Sequence, residues 1–233
     1  MNDREVKYDS HVPSLIHFFG PDGSGKSAQA RILVASLNRK SIRAKKVWLR
    51  AHHTLAFLLW KLFIRIGFHR VISNCLGVDS KLPAVDRSRL LRSFWSLIEF
   101  VSILPIVWRT YLIILRGYRV IAERYVLDTI TAIAYTINDI QFLRSRVSRL
   151  LLRLIPKSTV FIFLDADYET ICRRRAFDQN KVRKSSVEPR VFIEFQRTAY
   201  KVLAKSFGAL TIDTSKTSIE ETSRIIQRYL GLI

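Results

Sequence analysis

Eight consecutive residues near the start of the chain, Gly-Pro-Asp-Gly-Ser-Gly-Lys-Ser at 20–27, have the types and spacing of a phosphate-binding loop. Gly20, Gly23 and Gly25 allow a tight turn whose N–H groups point inward, and a helix beginning just after adds its positive dipole end. In the G-x-x-x-x-G-K-[ST] pattern, Lys26 binds the β- and γ-phosphates and the Ser27 hydroxyl coordinates Mg²⁺. The pattern thus predicts ATP and Mg²⁺ as cofactors, and its alternative is a glycine-rich structural turn.

The residues predicted to bind the nucleotide form one short segment. They are Gly20, Asp22, Gly23, Ser24, Gly25, Lys26, Ser27 and Ala28.

Short apolar runs alternate with helical patterns along the chain. Strands are predicted at 14–19, 44–49, 119–122, 160–164 and 209–212. Helices are predicted at 25–37, from 53, and at 89–115, 128–136, 141–154, 167–176, 189–207 and from 218, where a capping-box pattern begins. The region 73–87 is predicted to be a connecting loop because Asn, Gly, Asp and Pro interrupt it.

This alternation predicts an α/β fold of three layers, in which a five-stranded parallel sheet has helices on both faces, the P-loop NTPase architecture. Loops at the carboxyl ends of the strands then share one edge, where ligands bind. The length favours one domain over residues 1–233.

Charge and cysteine content constrain the partners and the compartment. The formal net charge of +20 attracts nucleotides, nucleic acid and anionic lipid alike, or simply keeps the protein soluble. Cys75 and Cys172 fit neither a disulfide framework nor a metal knuckle, and the first residues are polar. We expect a cytoplasmic protein.

Two apolar stretches, 54–68 and 94–115, test whether the protein is soluble. The first is too short to cross a bilayer, and the second contains Glu99, Arg109 and Pro105, which are unfavourable in hydrocarbon. We interpret both as core helices whose outer faces pack against a second subunit, and a membrane role is the alternative.

The segment 17–29, His-Phe-Phe-Gly-Pro-Asp-Gly-Ser-Gly-Lys-Ser-Ala-Gln, resembles the opening of thymidylate kinases, a family of P-loop nucleoside monophosphate kinases. The aspartate inside the loop distinguishes that family, where it reaches the sugar of the acceptor nucleotide. The resemblance therefore implies that Asp22 binds the acceptor. Its alternative role is to form the turn, since Asp-Gly is common in turns.

A second match is Val-Ile-Ala-Glu-Arg-Tyr at 120–125, followed by Ala134-Tyr135, which is similar to the family's strand ending in Asp-Arg-Tyr and its downstream Ala-Tyr-Gln. The resemblance implies that Arg124 and Tyr135 bind the acceptor and that Arg124 takes part in catalysis. A guanidinium fork suits a phosphate, although a surface arginine is the alternative. Glu123 stands where the family has Asp and is expected to organise Mg²⁺ or to hold Arg124.

Two further sites come from the resemblance. Arg50, directly after the second strand, matches a family arginine that binds the acceptor phosphate. The segment 161–175, Phe-Ile-Phe-Leu-Asp-Ala-Asp followed by a helix containing Arg-Arg-Arg, resembles the strand and helix that lead to the lid of nucleoside monophosphate kinases. We expect a basic lid over 177–188 that contains the catalytic Arg183, and a basic solvated loop is the alternative.

The acceptor's base is left open by one departure from the family. Thymidylate kinases carry a Phe and then an Arg in the long central helix, but the aligned segment 94–102 contains no arginine. Phe94 or Trp95 is able to stack on a base and Glu99 to accept a hydrogen bond from one, or these residues are plain core.

Three functions are therefore carried forward. The first is transfer of the ATP γ-phosphoryl group to dTMP by a homodimer. The second is the same chemistry on another phosphate acceptor, and the third is an ATPase that binds nucleic acid or an anionic membrane.

Overall fold

The computed structural model describes residues 12–48, 55–73, 79–177 and 189–233. Its strands are β1 (Leu15–Phe19), β2 (Ala44–Trp48), β3 (His69–Ser73), β4 (Asp79–Pro83), β5 (Arg119–Glu123), β6 (Thr159–Asp165) and β7 (Leu210–Asp213). Its α-helices are α1 (Lys26–Arg39), α2 (Leu55–Arg65), α3 (Arg89–Leu115), α4 (Val126–Thr136), α5 (Arg146–Arg153), α6 (Tyr168–Phe177), α7 (Arg190–Phe207) and α8 (Ile219–Tyr229).

The central sheet confirms the predicted fold class. Five parallel strands lie in the order β2-β5-β1-β6-β7, so the first strand of the chain is in the middle. All residues of β1 are buried, as expected for a strand covered on both faces. The carboxyl ends of β1, β5 and β6 consequently meet at one edge, and the phosphate-binding loop begins there.

Alternate residues of β1 enter different hydrophobic cores because side chains of a strand point to opposite faces. Leu15 and Phe19 pack into a core formed with α3, α4, α5 and α7, whereas Ile16 and Phe18 pack with α1 and α8. Helices packed on both faces of β1 therefore fix the position of the loop at 20–25.

Helix termini are largely set by local sequence. Gly25, at φ 91°, precedes α1, and Gly208, at φ 59°, follows α7. The Ser218 hydroxyl accepts a hydrogen bond from the Glu221 N–H at 3.1 Å, which confirms the predicted start of α8.

Two local predictions were wrong, and a third holds in part. The region 73–87 is not a plain loop, because β3 and β4 form a separate antiparallel hairpin that is followed by a 3₁₀ turn at Val85–Arg87. The helix predicted over 141–154 is a 3₁₀ segment, Ile140–Arg144, followed by α5. Helix α2 is a core helix on its inner face alone: Ala56 is buried, and Leu59, Trp60 and Phe63 pack against the core from partly buried positions.

Candidate active site

The loop between β1 and α1 leaves no room for side chains at its first two glycines. A Cβ on Gly20, at φ 144°, would collide with the carbonyl oxygen of Leu164 on β6. A Cβ on Gly23, at φ 97°, would lie 3.0 Å from Ile171 Cγ2 on α6. Both positions need glycine, because φ is positive and because the loop backbone lies directly against Leu164 and Ile171.

Lys26, the first residue of α1, is 4% exposed. Its ammonium group donates hydrogen bonds to the carbonyl oxygens of Gly20 and Pro21 at 2.6 and 2.7 Å, and Asp22 Oδ1 lies 3.5 Å away. Burial lowers the pKa of Lys26, while the carboxylates of Asp22, Asp128 and Glu123 oppose that shift. The loop thus holds a cation in a partly desolvated position next to its N–H groups.

Asp22 and Arg124, which are 102 residues apart, meet at the carboxyl ends of β1 and β5. An Arg124 Nη2–H donates to Asp22 Oδ2, and the Arg124 backbone has a φ of 57°, in the left-handed region. A non-glycine residue in that region is uncommon and is held there by its surroundings. The structure therefore places the two proposed acceptor residues side by side, next to Lys26.

Asp128, whose side chain is 12% exposed, supports the turn that carries Arg124. Asp128 Oδ2 accepts the N–H of Tyr125 at 3.0 Å and lies 3.3 Å from His17 Nε2. Its other oxygen accepts the Tyr200 hydroxyl at 3.0 Å, and burial raises the pKa of Tyr200. This network joins β1, α4 and α7, and it was missed from the sequence, although an Asp at the third position of a helix is a capping signal.

The predicted magnesium residues also meet. The Ser27 hydroxyl donates to Glu123 Oε1, and Lys46 Nζ on β2 lies 2.5 Å from Glu123 Oε2. Lys46 was not predicted, because its pairing depends on the strand order, in which β2 lies beside β5.

The residues around the loop fit the groups that the motif implies. Ser24 Oγ is buried and has no hydrogen-bond partner within the described part of the chain. With Lys26 and the close-packed glycines, it suits a polyphosphate. Ser27 and Glu123 supply hard oxygen donors, but the described residues contain no cluster of three or more His, Cys, Asp or Glu side chains suited to a metal. This donor set agrees with a Mg²⁺ ion that takes one or two ligands from the protein and the others from the nucleotide phosphates and water.

Arg174 of α6 connects the loop to the segment after β7. It donates to the Gly23 carbonyl oxygen and to Thr214 Oγ1, both at 3.1 Å, and the Thr214 hydroxyl lies 3.1 Å from the Ser24 carbonyl oxygen. A pocket lined by Gln29, Arg174, Thr214 and Ile219, among others, opens beside the loop. Thr214 and Ile219 place this pocket at the segment that follows β7.

Tyr135 lies further along α4 and packs against α7. Its ring centroid is 4.5 Å from that of Phe192 and 5.4 Å from that of Phe195. Arg70 of β3 donates to the Tyr135 carbonyl oxygen at 3.1 Å and pairs with Asp86 at 2.8 Å. The hairpin thus contacts α4 through Arg70, which a loop prediction did not suggest.

The remaining predicted residues differ in their placement. Arg50 and Arg183 lie outside the described residues, as do positions 178–188 of the proposed lid. Trp95 is buried against Phe63 of α2, with ring centroids 6.0 Å apart, so its surroundings are those of a core residue.

Comparison with known proteins supports the fold. No protein-family model matches the chain, and no curated protein matches it in sequence. Among solved structures, it is similar to thymidylate kinase from Candida albicans, with a TM-score of 0.60 and 17% sequence identity. The similarity covers 94% of this chain and 92% of that one. The chain therefore has a thymidylate-kinase-like fold, and its active-site chemistry must be argued from its own residues.

Proposed function

We propose that this protein is a P-loop kinase that transfers the γ-phosphoryl group of ATP to a nucleoside monophosphate, with dTMP as the first candidate acceptor. One observation carries the proposal: Lys26 and the Asp22–Arg124 ion pair lie together at the carboxyl ends of adjacent strands. A donor phosphate site and an acceptor phosphate site would thus be in contact.

The chain's own groups have distinct roles in this reaction. The N–H groups of the loop and Lys26 would bind the donor phosphates, and Arg124 would orient and neutralise the acceptor phosphate. A bound Mg²⁺ would supply charge neutralisation to the donor phosphates. Ser27 and Glu123 would hold it, and Lys46 next to Glu123 would limit the excess negative charge there.

The transfer is direct in this proposal. Positioning two polyanions in line and stabilising the charge of the transferring group account for most phosphoryl-transfer catalysis. A covalent enzyme intermediate is unnecessary, and Asp22 would serve the acceptor side through its contact with Arg124. If the lid over 177–188 closes, Arg183 would add a cation to the transferring group.

The acceptor's identity is the finer part of the proposal. The thymidylate kinase of Candida albicans has a broad substrate specificity. Here the segment 94–102 has no arginine, and Trp95 packs against α2. These features favour testing other nucleoside monophosphates, and phosphorylated small molecules, next to dTMP.

A coupled ADP-release assay with MgATP and a panel of deoxy- and ribonucleoside monophosphates tests the proposal. Lys26→Ala should abolish turnover and weaken ATP binding. Arg124→Ala should raise the acceptor KM or lower kcat by about 10²-fold or more, while ATP binding is retained.

Arg39→Ala is the matched control, because Arg39 is exposed on α1 and its Nε donates to the carbonyl oxygen of Ala35 within the same helix. It should leave turnover unchanged. If ATP binds but no monophosphate stimulates ADP release, the acceptor assignment fails. Stimulation by one base alone would identify the acceptor.

A further inference from the structure

The outer surface of α3 is an apolar strip with helical spacing. Its exposed large side chains recur every three or four residues, and Leu97 and Trp108 are 57% and 68% exposed. The strip consists of Leu90, Phe94, Leu97, Val101, Leu104, Trp108, Leu112 and Leu115. Between its ends the other exposed residues are Ser93, Pro105 and Arg109. A solvated helix face would be polar along this length.

Helix α2 extends this strip. Its Ala56 N–H donates to Ser102 Oγ of α3 at 3.0 Å, and Phe63 packs against Trp95, so the helices are antiparallel neighbours. The exposed apolar residues of α2 are Leu55, Leu58 and Leu62, with Ile66 just beyond its end. We call these residues and the α3 strip the α2–α3 face. It carries more than half of the exposed large apolar side chains in the described chain.

The exposed charged residues of α2, of α3 and of the neighbouring α5 are all basic. Helices α2, α3 and α5 contain one acidic residue, Glu99, which is partly buried. Lys61 and Arg65 are exposed on α2, and Arg109 on α3. Helix α5 packs beside α3, where the Tyr111 hydroxyl donates to the Leu154 carbonyl oxygen at 3.2 Å, and it exposes Arg146, Arg149 and Arg153.

The combination of apolar and basic side chains distinguishes between the possible partners of the α2–α3 face. A second copy would bring the same apolar strip but also the same positive charges, which repel across the contact. A nucleic acid would satisfy the charges but leave the leucines without an apolar partner. A bilayer containing anionic lipids offers both an apolar interior and a negative surface.

We propose that the α2–α3 face docks on the surface of an anionic lipid bilayer, with the apolar strip among the acyl chains and the flanking arginines at the headgroups. Within the described chain, α3 is the one helix long and apolar enough to span a membrane, and most of its apolar stretch is not buried. Trp95, Ile103 and Val107 on its inner face belong to the hydrophobic core. The helix therefore lies along the surface and does not cross it.

Docking in this way is independent of the proposed kinase activity, and the two can be tested separately. Phosphatidylcholine vesicles, with or without about a third of phosphatidylglycerol, serve as the probe in a co-sedimentation assay. Binding should be at least tenfold tighter to the anionic vesicles and should weaken with salt. The intrinsic fluorescence should shift to shorter wavelength on binding, and Trp108→Phe should remove most of that shift.

Two pairs of variants separate the apolar from the charged contribution. Leu97→Ser with Leu104→Ser should lower vesicle affinity tenfold or more, because two exposed side chains no longer enter the acyl region. Its control is Val191→Ser with Val202→Ser, at exposed positions on α7. Far-UV circular dichroism checks that each variant folds.

Charge reversal by Arg149→Glu with Arg153→Glu should lower affinity by at least about 25-fold, or roughly fivefold for each arginine lost, and the two new carboxylates add repulsion. The matched control reverses Arg224 and Arg228, which are exposed on α8 on the opposite face of the sheet. It should have a much smaller effect.

Three results would overturn the proposal. A protein that is dimeric by light scattering, is dissociated by the leucine pair and ignores vesicles would assign the face to the homodimer that the family resemblance implies. Vesicle binding that the leucine pair leaves unchanged would show a purely electrostatic contact. Binding to DNA or RNA, without binding to anionic vesicles, would assign the charge to nucleic acid.

Discussion

Replacing Glu99 by glutamine should make the protein more stable at pH 8 and leave its stability near pH 4.5 almost unchanged. Glu99 lies on the inner half of α3, one helical turn from Trp95 and close to the contact of α3 with α2. Burial raises the pKa of Glu99 from 4.5 to about 7. The ionised carboxylate is therefore a destabilising group in the folded protein.

The direction of the pH dependence follows from proton binding. Between pH 4.5 and about 7 the folded protein keeps the Glu99 proton that the unfolded chain has lost. Stability therefore falls as the pH rises through this window and levels off above it. One pKa unit corresponds to about 1.4 kcal/mol, so the upper limit at pH 8 is about 3 kcal/mol. Partial solvent exposure reduces the expected gain from Glu99→Gln to about 1–2 kcal/mol.

Urea unfolding of the wild type and of Glu99→Gln at several pH values between 4.5 and 8 measures this difference. The midpoint should move to higher urea at pH 8, and the two curves should converge toward pH 4.5. Glu169→Gln is the control, because the Glu169 side chain is 64% exposed. A Glu99→Gln protein that is no more stable at pH 8, or that gains as much at pH 4.5, would refute the reasoning.

Two other substitutions test packing and pairing at the site by the same urea measurement. Gly20→Ala places a methyl group against the Leu164 carbonyl oxygen and should cost about 2–4 kcal/mol, whereas Gly67→Ala, also at positive φ but with open space around it, should cost about 1 kcal/mol. Equal losses at both glycines would contradict the close packing. Arg197 donates from Nε and Nη2 to the two carboxylate oxygens of Asp165 at 2.8 and 3.1 Å, so Arg197→Lys should lose about 1–3 kcal/mol by removing the paired geometry while keeping the charge. A neutral effect would show that charge alone matters.

Much of the fold could be predicted because its signals are local. The glycines at 20, 23 and 25 define the loop, and the short apolar runs define strands of a parallel sheet. Ser218 marks the start of α8 through a bond to a residue three positions later. The hairpin of β3 and β4 was missed because turn-forming residues between its strands gave the whole region the pattern of a loop.

A residue of the candidate site was predictable where a local sequence motif includes it. Lys26 and Ser27 belong to the loop motif itself, and Arg124 directly follows a strand. The partners of these residues were not predictable from spacing. Lys46 reaches Glu123 because β2 lies beside β5, and Asp128 contacts His17 and Tyr200, which are distant in the sequence.

The sequence by itself determined that the chain forms a parallel α/β sheet with a phosphate-binding loop, because backbone conformation and periodicity depend on neighbouring residues. Only the tertiary structure decided that Asp22 meets Arg124, since that contact depends on the order of the strands. It also decided which side of α3 is covered. Ile103 in the core and Leu104 at the surface are both strongly apolar, and packing alone separates them.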